Sequence, residues 1–279
     1  MPATTALLVH VAKQKGFFAR NKIDATLTAA ANISALPATL GRQFDIALGT
    51  ATDLIRASAA GLDVVQIAGN TVSTKSNPFV KVIVPRDSAI KTVTDLEGKK
   101  VGSPTLSGVI HVGVLAWDKK AGGDPSKIEG VQAPPPNLPD QLKAGRIDAV
   151  EALEPFASAL LKKGNVTIGD PFSPIKDPLA TNFWIAQGSW AQDNRDVVAR
   201  FTKAIGQARA YIADNPVPAR MVLQQYTNIP PAIAKKVPLP TYDVSVRMDD
   251  LATWEAVLKD LGQFKGDVDP SKLVLSGSR

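Results

Sequence analysis

One pattern of apolar and polar positions occurs twice along the chain. In the first copy, Leu40-Gly41-Arg42-Gln43-Phe44-Asp45-Ile46-Ala47 leads to a helical stretch from Leu54 to Ala60, then Gly61, then the apolar run Val64-Val65-Gln66-Ile67. In the second, Ala144-Gly145-Arg146-Ile147-Asp148-Ala149-Val150 leads to a helical stretch from Ala157 to Lys163, then Gly164, then Val166-Thr167-Ile168. Sixteen residues separate Asp45 from Gly61, and sixteen separate Asp148 from Gly164. Each copy reads as helix end, buried strand, helix, strand. Gly41, Gly61, Gly145 and Gly164 stand where a helix ends in the left-handed conformation. Strand, helix, strand with short connections implies a right-handed crossover and a mostly parallel sheet. Two copies imply two α/β sheets, hence two lobes.

Phe79 to Val84 alternates and runs into Pro85, which reads as a first strand crossing between lobes. Leu179 to Ala186, after a Pro-rich stretch from Pro171 to Pro178, reads as a second. The expected division is a first part of lobe I over residues 1–84, lobe II over 85–178, and a return to lobe I with C-terminal helices over 179–279. Those helices are Arg195 to Ile212 stopping before Pro216, Ala219 to Tyr226 stopping before Pro230, and Asp249 to Leu261 stopping at Gly262. Two crossing strands make a hinge, and hinged lobes close around ligands held in the cleft between them.

Composition narrows the chemistry. The 279 residues are 44% hydrophobic and 21% charged, enough for two cores. The net charge of +6 is spread over isolated pairs such as Lys99-Lys100, Lys119-Lys120, Lys162-Lys163 and Lys235-Lys236, so no nucleic-acid groove is expected. With no cysteine, thiol catalysis, disulfides and cysteine-ligated metals are excluded. There is no metal-ligand spacing, Gly-rich phosphate loop or nucleophile motif, so neither cofactor nor metal is expected. No apolar run approaches the roughly 18 residues of a membrane span. Pro2-Ala3-Thr4-Thr5 leads directly into a helical pattern, whereas α/β folds of this kind open with a strand; that strand and an export signal are expected ahead of Met1.

Ile90-Lys91-Thr92-Val93-Thr94-Asp95-Leu96-Glu97-Gly98-Lys99-Lys100-Val101-Gly102 resembles the type II periplasmic solute-binding proteins of ABC transporters. Ala12-Lys13-Gln14-Lys15-Gly16-Phe17-Phe18, Asp45-Ile46-Ala47-Leu48-Gly49 and Glu154-Pro155-Phe156 are similar to the sulfonate, nitrate and taurine-type branch of that family. The resemblance implies a monomeric periplasmic binder that delivers a small organic anion to a membrane permease. An enzyme on the same fold, such as a pyrimidine-precursor synthase or a small-molecule lyase, is the alternative.

In open α/β sheets ligands lie beyond the carboxyl ends of strands, against helix amides. That rule nominates Thr4 and Thr5 at the first helix, and Thr50 and Ala51 where small residues permit close backbone approach. It adds Asn32 and Asn70 as amide donors after predicted strands. Asn182 lies on the second crossing strand, where its amide faces the expected cleft. By resemblance, Ser107 with the amides of Gly108 and Val109 closes on the anion from the other lobe. His111, one turn further, and Glu154, in the turn after the second repeat's strand, complete the set. No Arg stands in these loops, so capture by amides and hydroxyls is expected. The apolar Ile33, Ala51, Leu106 and Val109 favour an organic sulfonate or aromatic carboxylate.

Overall fold

The computed structural model describes residues 4–30, 33–227 and 230–276. Its strands are β1 (Ile46–Gly49), β2 (Val64–Ser73), β3 (Val80–Val84), β4 (Lys100–Ser103), β5 (Glu129–Gln132), β6 (Ala149–Leu153), β7 (Val166–Gly169), β8 (Leu179–Gln187) and β9 (Thr241–Tyr242). Its α-helices are α1 (Leu7–Gln14), α2 (Phe17–Arg20), α3 (Ala51–Ala59), α4 (Val109–Lys120), α5 (Leu138–Lys143), α6 (Phe156–Lys162), α7 (Gly188–Asp193), α8 (Arg195–Asp214), α9 (Pro216–Met221), α10 (Pro231–Ala234) and α11 (Met248–Asp260). Two units result. Unit 1 comprises Met1–Val72, Ala180–Glu255 and Gly266–Arg279, and unit 2 comprises Ser73–Leu179 and Ala256–Lys265.

The repeated pattern corresponds to β1–α3–β2 in unit 1 and β6–α6–β7 in unit 2. The four glycines that punctuate it, Gly41, Gly61, Gly145 and Gly164, have φ of 72°, 83°, 65° and 93°. Yet the two strands of a copy are not neighbours. The strand orders are β1-β8-β2-β9 and β5-β4-β6-β3-β7, so a strand from elsewhere in the chain lies between the repeat's pair in each sheet. The inserted strand is antiparallel: β8 to β1, and β3 to both β6 and β7. Strand β4 pairs in parallel with both β5 and β6, and β2 pairs antiparallel with β9. In the second sheet β4, β5, β6 and β7 therefore run the same way and β3 alone runs against them. A crossover helix leaves a gap one strand wide, and an antiparallel strand completes the hydrogen bonding of both flanking edges.

The chain changes unit at the end of β2 and at the start of β8. The alternating run expected to cross, residues 79–84, instead forms β3 within the second sheet, with Val80 opposite Leu153 and Ile83 opposite Val150. Alternation identifies a strand but not the sheet that receives it. The C-terminal return is also divided, since residues from Ala256 to Lys265 belong to unit 2, where Asp260 accepts from Lys119 Nζ at 2.8 Å. Helix α8 ends at Asp214, ahead of Pro216 as the sequence predicts, and Pro216 then opens α9, the first helical position being one that proline tolerates.

In unit 1, α8 buries Val198, Phe201, Ala204, Ile205, Ala208 and Ile212, a stripe at helical spacing. It packs on Leu7, Leu8, Val11 and Phe18 of the N-terminal helices, and Trp184 of β8 meets Phe201 edge-on with ring centroids 5.5 Å apart. In unit 2 the sheet is buried on both faces. Val82 and Val84 join one cluster with Leu96, Val101 and Val114, while Ile83 between them joins another with Leu138, Ile147 and Leu160. Among the described residues no helix is long and apolar enough to cross a membrane.

Two glycine substitutions test this reading of the backbone with opposite signs. A Cβ at Gly145 meets nothing within 4 Å, so Gly145→Ala should cost only the strain of a left-handed backbone at φ 65°, about 1 kcal/mol of stability by urea denaturation. Gly206 lies inside α8, also with open space, so Gly206→Ala should gain about 0.8 kcal/mol.

Candidate functional site

The polar groups of unit 1 converge on adjacent strands β2 and β8. Asn70 Nδ2 donates to Asn182 Oδ1 at 2.7 Å and to the Thr5 carbonyl at 3.1 Å. Thr71 Oγ1 donates to the same Asn182 oxygen at 2.8 Å, and Thr181 Oγ1 lies 2.7 Å from Thr71 Oγ1. All of these residues are buried. Tyr242 OH donates to the Thr4 carbonyl at 2.6 Å, anchoring the first turn. Burial pushes that phenol well above its ordinary pKa.

Thr5, Asn70 and Asn182 are thus brought together, but through the Thr5 carbonyl and not its hydroxyl. Asn70 spends its donors inside the protein; its Oδ1 is buried without a hydrogen-bond partner among the described residues. The amide donor expected from sequence is thus bound to Thr5 and Asn182 within the fold. Asn32 lies outside the described residues. Sequence reading missed Thr71 and Thr181. The pairs Asn70-Thr71 and Thr181-Asn182, each set in a buried strand, were the available signal.

At the turn from β1 to α3, Thr50 Oγ1 donates to Asp53 Oδ2 at 2.6 Å and caps the helix by accepting from Asp53 N at 3.5 Å. Burial raises the Asp53 pKa, against hydrogen bonds from Thr50 and Ser34 and the nearby Arg56. Ala51 is buried. The small residue before the cap has a packing cause, because a Cβ on Gly49 would lie 2.9 Å from Ile185 Cδ1. Thr50 is committed to its own helix.

The corresponding turn in unit 2 is built differently. Ser103 Oγ donates to the Thr105 carbonyl at 3.1 Å, and Leu106 N to Gln132 Oε1 at 3.3 Å. Thr105 and Ser107 hydroxyls lie 3.4 Å apart. Gly108 is the N-cap of α4 and contributes no side-chain cap; a Cβ there would lie 2.6 Å from Thr105 Cγ2. The twelve-residue α4 therefore starts with backbone amides of Val109 and its successors unserved by a capping side chain.

One turn on, His111 is buried, with Nδ1 2.7 Å from Oε1 of Glu151 on β6. Glu151 is fully buried, and its Oε2 finds no donor among the described residues. Burial pulls the His111 pKa down, but the charge and hydrogen bond of Glu151 outweigh it, and the net direction is upward. Glu151 is a third residue that sequence reading missed, although a carboxylate inside the apolar run Ala149 to Leu153 was a visible anomaly. Glu154 accepts from Ser158 N at 3.2 Å and pairs with Lys81 at 3.8 Å, which fixes the start of α6.

The NMT1/THI5-like family model matches residues 3–219. A putative thiamine biosynthesis protein of Haemophilus influenzae is 37% identical over 96 residues, 34% of this chain and 29% of its own length. The 4-amino-5-hydroxymethyl-2-methylpyrimidine phosphate synthase THI5 of Saccharomyces cerevisiae is 26% identical over 232 residues, 78% of this chain and 66% of its own. A putative aliphatic sulfonates-binding protein of Escherichia coli is 29% identical over 175 residues, 59% and 52% of the two chains. The chain thus spans less than two thirds of the length of these relatives. Among solved structures, the alkanesulfonate-binding protein SsuA of Xanthomonas axonopodis bound to MOPS superposes with a TM-score of 0.82 at 19% identity, covering 98% of this chain and 95% of that one. The nitrate-binding protein NrtA of Synechocystis gives 0.81 at 14% identity, covering 99% and 84%. The fold is the type II periplasmic-binding-protein fold.

The His111–Glu151 pair sets a pH dependence. A folded pKa above the unfolded value of 6.5 means that the stabilisation is fully present below pH 6.5 and lost as the pH rises through the folded value. Urea midpoints should fall on that alkaline limb. Glu151→Gln should flatten it and lower stability at pH 6 by roughly 3 kcal/mol. An unchanged slope in Glu151→Gln would assign the limb to another group.

Proposed function

Because the chain belongs to the NMT1/THI5-like family, we propose that it is the extracytoplasmic solute-binding component of an ABC importer and captures a small organic anion, a sulfonate or an aromatic carboxylate. The observation that carries this reading is the start of α4, where amides and the positive end of a twelve-residue helix stand without a side-chain cap beside Thr105 and Ser107. The net charge of +6 favours attraction of an anion. The alkanesulfonate and nitrate binders that share the fold, and the sulfonates-binding relative, support the ligand class. Delivery to a membrane permease and a periplasmic location are parts of the same proposal.

The competing reading is a synthase, favoured by the likeness to the yeast enzyme over 232 residues. Against it stands the use of the polar side chains. Thr50 is bound to Asp53, Asn70 to Asn182, and His111 to Glu151, which describes a scaffold and not a nucleophile with its base.

A thermal-shift panel of alkanesulfonates, aromatic carboxylates, nitrate and aminopyrimidines should contain a sulfonate or carboxylate that raises Tm, as binding to the folded state alone requires. For that compound Val109→Pro, which removes one amide at a helix position that accepts proline, should weaken binding at least tenfold. Ser107→Ala should weaken it less. If only pyrimidines bind, and product forms on incubation, the synthase reading replaces this one.

A further inference from the structure

Unit 2 contains a cavity of about 570 Å³ whose walls include none of residues 103–109. One wall is a single face of α4, on which His111, Leu115 and Lys119 follow one another at intervals of four residues. Eight residues of helix make this wall about 12 Å long. Residues 123–126 and Ile128 form a second wall, and Asp260, Leu261 and Gln263, at and just beyond the end of α11, form a third. Leu115, Ile128 and Leu261 pack in one apolar cluster, so the slot is apolar midway along the helix.

Its two ends differ in charge. At the first, His111 is 5% exposed; Glu151 takes its Nδ1, and among the described residues its Nε2 has no hydrogen-bond partner. Burial disfavours the charged ring, but Glu151 outweighs it, and the doubly protonated form leaves Nε2–H as a donor. A Cβ on Gly130 would lie 2.8 Å from Nε2, so a glycine keeps that edge of the ring uncrowded. At the other end the last turns of α4 and α11 meet, where Lys119 Nζ donates to the carbonyl and carboxylate of Asp260. Both helix dipoles place negative potential there. Two carboxylates, Asp124 and Asp260, line that end with one lysine, Lys119. Asp124 Oδ1 accepts from Ser126, while its Oδ2 lies 3.6 Å from the exposed Lys127.

A slot with a buried donor at one end, an apolar middle and surplus negative charge at the other is matched by a molecule of the reverse polarity. We propose that this cavity is a second binding site, for an unbranched ω-amino carboxylate that sets its carboxylate against His111 Nε2 and its ammonium against Asp124. An ammonium and a carboxylate joined by five methylenes stand about 7.5 Å apart when extended, and a hydrogen bond of about 2.8 Å at each end brings the span close to the length of the wall. Leu115 and Ile128 receive the methylenes. The site is separate from the anion site proposed at the start of α4 and does not depend on it.

Titration with 6-aminohexanoate, followed by amide NMR shifts, should perturb residues 123–128 and 260–263. Its Kd should lie about tenfold below those of hexanoate and hexylamine, each of which lacks one charged end. His111→Gln should erase its advantage over hexylamine, and Asp124→Asn its advantage over hexanoate. Asp124 is exposed, so its substitution leaves the fold intact even where that of His111, beside buried Glu151, does not. Binding no tighter than that of hexanoate, or an advantage over hexanoate that survives Asp124→Asn, would overturn the pairing of the ammonium with Asp124. No shift at residues 123–128 and 260–263, or shifts confined to residues 103–109, would overturn the second site while leaving the anion site at the start of α4 untouched.

Discussion

Backbone hydrogen bonding across a gap is the constraint from which the rest follows. When a helix joins two strands of one sheet and leaves a strand's width between them, both inner edges need partners. Here each gap is filled from a distance: β8 enters between β1 and β2, and β3 between β6 and β7. The same rule sets an antiparallel strand into each sheet. It also fixes Asn182 and Thr181 on β8 beside Asn70 and Thr71 on β2, so the buried polar quartet is a by-product of sheet assembly. Such a network stabilises only while every member keeps its bonds, which confines substitution at all four positions.

The two helix starts that look alike in sequence differ in physical role. Thr50 closes α3 with its own side chain, and its hydroxyl proton goes to Asp53. Gly108 leaves α4 without such a cap, and the surrounding hydroxyls belong to Thr105 and Ser107. A capped start holds a helix; an uncapped one is available to bind an anion.

Much of the fold was legible because spacing survives without coordinates. The equal intervals from Asp45 to Gly61 and from Asp148 to Gly164 correspond to equivalent elements in the two sheets, and all four glycines have positive φ. Strand neighbours were not legible. Nothing in the alternation of residues 79–84 states that β3 pairs with β6 and β7, since pairing is a property of two distant segments. The site was less legible still. Asn70 and Thr50 have the right chemistry for a ligand, but their hydrogen bonds go to Asn182 and Asp53, and only the fold reveals which partner claims a polar atom. Glu151 could have been found, because a carboxylate in an apolar strand demands a partner, and His111 on the neighbouring helix supplies it.

The inserted strands also impose an order on synthesis. All five strands of the second sheet lie between Val80 and Gly169, so most of unit 2 is available for assembly before the ribosome has made β8. The first sheet cannot close until residues 179–187 emerge, more than a hundred residues after β2. During that interval β1 and β2 wait with unsatisfied edges, and the slower, longer-range pairing belongs to the unit made first. A nascent chain of this design therefore completes its middle before its beginning, and its early strands are the part most in need of shelter from other polypeptides.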